Sequence, residues 1–141
     1  MDGLISALNE SRSVIHLFLH VLVPLLVALV YVCWLVKKQN NSPLKRLFYW
    51  AFAWMMLTMA VDVDHLLAVP IYVPDRCSIL FHPLHTAGPM VVYGLMMLWP
   101  LGVHLASRVI NKRDAIIGWL GAGLVVHMVL DALDCLWMKG C

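Results

Sequence analysis

Four long apolar runs divide the chain. They are Val14 to Val36, Leu47 to about Val69, about Pro83 to Ala106, and Ala115 to about Trp137. Each is close to the ~20 residues that cross about 30 Å of hydrocarbon. Three polar stretches separate them. Lys37 to Arg46 holds two basic pairs and Pro43, Pro70 to Phe81 holds Pro74, Asp75 and Arg76, and Ser107 to Asp114 is a short basic loop. A backbone in lipid must satisfy its own N–H and C=O groups, and β-barrel alternation is absent, so the runs predict helices. The expected fold class is all-α, an integral-membrane four-helix bundle that forms a single domain over residues 1–141. Residues 1–13 are polar, with Leu4, Ile5 and Leu8 on one face, which leaves an interfacial or a disordered segment open. The first run is too long for the apolar core of a cleavable signal peptide, and its basic flank follows rather than precedes it.

Composition agrees. Of 141 residues, 62% are hydrophobic and 13% are charged, against about 25% charged in an average soluble domain. That excludes a soluble globular domain and a disordered chain. The net charge of +2 has no basic stripe behind it, so a nucleic-acid partner is not expected. The basic residues are unevenly placed. Lys37, Lys38, Lys45, Arg46, Arg108, Lys112 and Arg113 fall in two loops, and Arg12, Arg76 and Lys139 on the other side. The positive-inside rule then puts the 37–46 and 107–114 loops in the cytoplasm, with both termini and the 70–81 turn on the outer side.

The polar residues inside the runs change the picture from a membrane anchor to a site. His16 and His20 are four apart near the outer end of the first helix, so they share a face. Asp62 and His65 share a face of the second, whereas Asp64 points elsewhere unless that helix loosens before Pro70. His82 and His85 open the third, with Pro83 suited to a first turn. His127, Asp131 and Asp134 occupy the outer half of the fourth. His104 falls at the opposite end and reads as a helix-to-helix hydrogen bond. An ionisable group at mid-membrane costs at least ~2.5–3.5 kcal/mol, so the clustered ones must face inward and compensate one another. A divalent cation does this with fewest protons, because it neutralises carboxylates and keeps each imidazole neutral.

The candidate metal ligands are therefore His16, His20, Asp62, His65, His82, His85, His127 and Asp131. Imidazole and carboxylate donors suit zinc first, then manganese or iron, better than copper(I). The candidates exceed what one catalytic zinc needs, which leaves room for one or two ions, a pair being bridged by an Asp. Asp64 or Asp134 is the candidate general base or ligand-orienting carboxylate. Thr86 can position water or substrate, and Arg76 lies at the mouth. A metal-activated water acting at headgroup depth points to an ester or phosphoester bond of a membrane lipid or lipid-linked substrate. Met55, Met56, Met59, Met96 and Met97 read as packing, the tryptophans as interfacial anchors, and Gly118, Gly121 and Gly123 as close helix contacts. Cys77, Cys135 and Cys141 share the outer side, where a disulfide is permitted, for example Cys77 with Cys141. A homodimer is compatible with so small a bundle.

His16, Asp62-Val63-Asp64-His65, His82-Pro83-Leu84-His85-Thr86 and His127-x-x-x-Asp131 together resemble the membrane-bound metal-dependent hydrolases, small inner-membrane proteins of bacteria. That family has a His in helix 1, an Asp-x-Asp-His element, a His-x-x-His followed by Ser or Thr, and a late His-x-x-x-Asp. The resemblance implies a helical, multi-pass inner-membrane protein with metal-dependent hydrolase activity. Two positions depart. Pro83 stands where the family often has Arg, which removes one phosphate contact, and Thr86 stands where Ser is common, which keeps the hydroxyl. Two rivals remain. A metal transporter without catalysis predicts ligands strung along a path through the membrane. A bis-His haem protein predicts paired imidazoles at one depth with few acids near them.

Overall fold

The computed structural model describes residues 2–38, 44–67, 77–107 and 110–140. It is all-helical, with no strand among the described residues. Helix α1 is Asp2–Lys38 and α2 is Leu44–Leu57, continued directly by a 3₁₀ segment, Thr58–Leu67. A short 3₁₀ turn, Pro83–His85, precedes α3, Ala87–Ser107, and α4 is Lys112–Gly140. Four of these helical stretches are long and apolar enough to cross a membrane: Val14–Tyr31, Lys45–Leu67, Ala87–Ala106 and Lys112–Trp137. Val91, Val92, Leu95, Leu98, Leu101 and Leu105 of α3 are all exposed. Water would penalise such a face and hydrocarbon would not.

Two boundaries differ from the sequence expectation. Residues 2–13 are helical and form the first turns of α1. Between Gly3 and Pro24 nothing interrupts helix propagation. The third helix does not start at Pro83. Thr86 is extended, with φ −88° and ψ 166°, so His82 and His85 sit on a separate turn ahead of α3. Arg76, Cys141 and most of the 70–81 turn lie outside the described residues.

Helix α4 is the centre of the bundle, and glycine sets its approach to its neighbours. A Cβ at Gly121 would collide with Met97 N and Met96 C of α3, and one at Gly118 with the Pro100 ring. One at Gly123 would come within 2.9 Å of Met55 Cα and of Thr58. Small residues allow this approach where no hydrophobic force pulls helices together in lipid. Ala28, Ala51, Met55 and Trp119 form a small apolar core from α1, α2 and α4. A second, made by Val61, Tyr93 and Met128, lies beneath the polar cluster.

The opposite end is also built. Asp114 is buried and accepts from Trp99 Nε1 at 3.0 Å and from Asn111 N at 3.1 Å. Asn111 Oδ1 in turn accepts from Asp114 N at 3.0 Å, a reciprocal cap on the start of α4. Trp99 thus ties α3 to that cap in addition to any interfacial role. Lys112 Nζ stands 5.0 Å over the Trp50 ring.

Candidate metal centre

The 3₁₀ segment explains how Asp64 reaches the interior while Asp62 and His65 stay part-exposed. A 3₁₀ helix turns about 120° per residue, so i, i+3 and i+6 line up. Thr58, Val61 and Asp64 follow that spacing and are the buried residues of the segment. In an α-helix, at about 100° per residue, Asp64 would lie roughly 120° away from Thr58. The sequence expectation points Asp64 elsewhere unless the second helix loosens; instead the helix tightens, and Asp64 turns inward, 4% exposed. Ten residues is long for a 3₁₀ run, and such stretches within helices often mark functional positions.

The 77–86 turn brings in the next ligands. Leu80 takes φ 65°, a left-handed conformation that costs about 1–2 kcal/mol for a residue with a side chain. Its amide donates to His85 O at 3.0 Å, and the amides of Phe81 and His82 donate to Ser78 O at 3.2 Å. Leu84 N donates to Asp64 Oδ2 at 2.8 Å, and Tyr93 OH to Leu84 O at 3.1 Å. A disulfide joins Cys77 to Cys135 across 58 residues. This replaces the Cys77–Cys141 pairing offered as an example from sequence. Cys135 lies one helical turn after Asp131, so its side chain reaches the turn beside the cluster.

Three groups of donor atoms result among the described residues: Asp62, His85, His127 and Asp131; His16, His20 and Asp131; and Asp64, His65 and His85. Within each, one ligand atom per residue lies within 4.8 Å of the others. Asp131 joins the first two. Its Oδ1 is 3.4 Å from both His16 Nε2 and His20 Nε2. Its Oδ2 is 3.1 Å from His85 Nε2 and 3.7 Å from His127 Nε2. Asp62 Oδ1 lies 3.0 Å from His127 Nε2 and 3.7 Å from His85 Nε2. His20, His85 and His127 are 0–2% exposed and Asp131 is 5% exposed.

Hydrogen bonding fixes which nitrogens are bare. His85 Nδ1 faces Asp64 Oδ2 at 3.3 Å, so it carries the hydrogen. His20 Nδ1 faces the His16 carbonyl at 2.9 Å and must donate as well. An imidazole with one N–H has its lone pair on the other nitrogen. In that neutral form both Nε2 atoms aim lone pairs at oxygens of the Asp131 carboxylate. His20 Nε2, His85 Nε2 and Asp131 Oδ2 are buried and make no hydrogen bond among the described residues. Lone pair against lone pair in a low dielectric is repulsive unless a cation lies between.

The remaining candidates take other positions. His65 uses both ring nitrogens. Nδ1 donates to Asp62 O at 3.1 Å and Nε2 accepts from Ser78 Oγ at 3.1 Å, with Asp64 Oδ1 3.2 Å from Nδ1. Ser78 was not anticipated. No spacing marks it, and only the tertiary turn brings it to His65. His82 is buried and stacks on His65, with centroids 3.8 Å apart, and belongs to none of the three groups. Asp134 Oδ2 lies 4.0 Å from His16 Nδ1, behind the ring rather than among the bare nitrogens. Thr86 Oγ1 donates to Pro83 O at 2.9 Å and closes its own turn. His104 is half-buried on α3, outside the three groups.

Residues 11–138, nearly the whole chain, match the family of unknown function DUF6122. The chain belongs to that family. The description of DUF6122 names no activity, metal or substrate. Neither the curated proteins nor the solved structures contain a match to this DUF6122 protein.

Proposed function

We propose that this protein is a metal-dependent hydrolase acting on an ester or phosphoester bond of a membrane lipid or lipid-linked substrate. One observation carries the reading. Two buried imidazoles, already committed as donors through Nδ1, point bare Nε2 atoms at the two oxygens of one buried carboxylate. A tetrahedral ion with bonds of about 2.0–2.1 Å sets its ligand atoms about 3.3–3.4 Å apart. The four His–Asp separations of the first donor group, 3.0–3.7 Å, bracket that value. Asp62, His85, His127 and Asp131 are the ligand candidates, and three of them would hold the ion with one position left for water. Such an ion supplies Lewis acidity and lowers the pKa of a coordinated water to about 7.

The chain's own residues supply the rest. Asp64 positions His85, held in turn by the Leu84 amide. A carboxylate behind a ligating imidazole fixes its tautomer and raises its basicity. His65 is the proton carrier in this reading. Its Nε2 is a base that already accepts a hydrogen, and its side chain is 31% exposed beside Asp62. The accessible edge consists of His16, Asp62 and His65, flanked in sequence by exposed Ile15, Leu17, Val63 and Leu66. An opening bordered by lipid-facing side chains suits a substrate that arrives within the bilayer.

The outer orientation has two independent supports. The basic loops are at the far end of the spans from the cluster. The Cys77–Cys135 disulfide is at the cluster end, and disulfides persist in oxidising compartments. Both favour a site on the periplasmic or extracellular side, with zinc the first choice of metal. A haem is disfavoured. Its axial imidazoles need a slot for the macrocycle, whereas here Asp62 and Asp131 stand among the rings, and the His20 and His127 centroids are 4.6 Å apart.

The test is elemental analysis and absorption spectroscopy of detergent-purified protein, with hydrolysis of phospholipid and lipid-ester panels by wild type and Asp131→Asn. Bound zinc, manganese or iron without a Soret band, with turnover lost in the variant, is expected. Absence of metal after reloading would remove the basis of the reading, and metal without turnover would leave a binding protein.

A further inference from the structure

We infer that the outer end of α1 provides a second, separable metal position, His16–His20–Asp131, so that the centre holds two ions sharing the Asp131 carboxylate. This rests on the metal-centre reading above and deepens it.

The two oxygens of Asp131 do not serve the same imidazoles. Oδ2 faces His85 and His127, from the 83–85 turn and α4. Oδ1 faces His16 and His20, both from α1, each at 3.4 Å. That distance is longer than an N–H···O bond, whose usual range is about 2.7–3.2 Å. It equals the edge of about 3.3–3.4 Å expected between ligands of one tetrahedral ion with bonds near 2.0–2.1 Å. His20 is 2% exposed, with Nδ1 tied to the His16 carbonyl and Nε2 making no hydrogen bond among the described residues. A carboxylate with one oxygen toward each of two donor sets is the bridging arrangement of paired-metal hydrolytic sites. Asp134 Oδ2 lies 4.0 Å from His16 Nδ1, the ring nitrogen that does not face Asp131 Oδ1.

The packing of α1 points the same way. Around the two imidazoles, Val14, Ile15, Leu17, Phe18 and Val21 are all exposed, and His20 is the buried residue. Apolar attachment of α1 begins beside His20, where Leu19, Leu22 and Val23 are half-buried and Pro24 is buried, and continues to Ala28 in the core with Ala51, Met55 and Trp119. Pro24 has no N–H to offer the His20 carbonyl one turn earlier. Over residues 14–18 His16 is the half-buried position among exposed neighbours, so an ion there would add a polar tie at the outer end of that packing. His16 is 33% exposed and Asp62 of the first position 41%, so both positions open to the same accessible edge.

The experiment uses the full chain in detergent, stripped with chelator, reloaded with zinc for elemental analysis and with manganese(II) for electron paramagnetic resonance. Wild type is expected to hold two zinc ions per chain and to show an exchange-coupled manganese spectrum. His16→Ala and His20→Ala should each retain one ion and give the six-line spectrum of an isolated manganese. Because His16 is partly exposed and His20 fully buried, agreement between the variants separates ligand loss from misfolding. One ion in wild type, unchanged in both variants, overturns the second position and leaves the metal centre standing. Two ions retained in both variants, or loss of all metal in both, also overturns it. No metal in wild type takes the parent reading down with it.

Discussion

His20 Nε2 faces Asp131 Oδ1 at 3.4 Å while its Nδ1 is bound to the His16 carbonyl. The pair is well placed for a cation and poorly placed without one. Asp131→Asn should therefore separate metal binding from folding. At free metal near 100 times Kd, wild type should gain about 2.7 kcal/mol of stability by mass action. The variant should gain almost none, yet melt no lower than wild type when both are metal-free, since a buried repulsion has been removed. Thermal melts with chelator and with zinc measure both halves.

Asp64 differs from Asp131 in that it touches His85 from behind. Asp64→Asn should keep the ion but lower its affinity about 10–100-fold, as loss of an orienting carboxylate does. Competition against a chromogenic chelator reads that shift. Loss comparable to Asp131→Asn would make Asp64 a ligand instead.

His127 Nε2 sits at hydrogen-bond distance, 3.0 Å, from Asp62 Oδ1. A ring protonated on both nitrogens and donating there must lose that hydrogen to solvent before the same nitrogen can bind an ion. Loading should release protons, and affinity should rise with pH, the sign expected when metal and proton compete. Calorimetry in two buffers of different ionisation heat counts the protons. A binding heat independent of buffer would contradict the assignment.

Gly121 and Gly94 give a packing contrast. A Cβ at Gly121 meets the α3 backbone, whereas one at Gly94 meets nothing within 4 Å. Gly121→Ala should destabilise by about 1–3 kcal/mol and Gly94→Ala by little. Detergent-denaturant unfolding of the two variants compares them directly.

Cys77→Ser or Cys135→Ser should cost about 2–4 kcal/mol, since the bridge spans 58 residues. It should also loosen the turn that presents His85. Non-reducing gels with thiol labelling establish the bridge, and metal content after reduction reports its effect on the site.

Sequence reasoning reached the four helices because lipid leaves a chain little choice of backbone structure, and because the apolar runs are uninterrupted. It put His16 with His20 and His127 with Asp131 on shared faces because both pairs follow α-helical spacing in α1 and α4, whereas Asp62 and His85 come to them from 3₁₀ segments. It left Asp64 open because the change from 3.6 to 3.0 residues per turn has no mark in Thr58–Leu67 that propensity reads. Thr86 looked available by position, but a local bond to the Pro83 carbonyl engages its hydroxyl. Ser78 and the choice of Cys135 over Cys141 depend on where the 77–86 turn folds back, a tertiary fact without local spacing.

The 3₁₀ segment also alters how far the second crossing reaches. At about 2.0 Å per residue instead of 1.5 Å, its ten residues gain roughly 5 Å of length over an α-helix of the same sequence. Asp62, Asp64 and His65, the fifth, seventh and eighth residues of the segment, are thereby carried roughly 2.5–4 Å further along the bundle axis. Helix type, and not residue count alone, sets the depth at which this site meets the membrane surface.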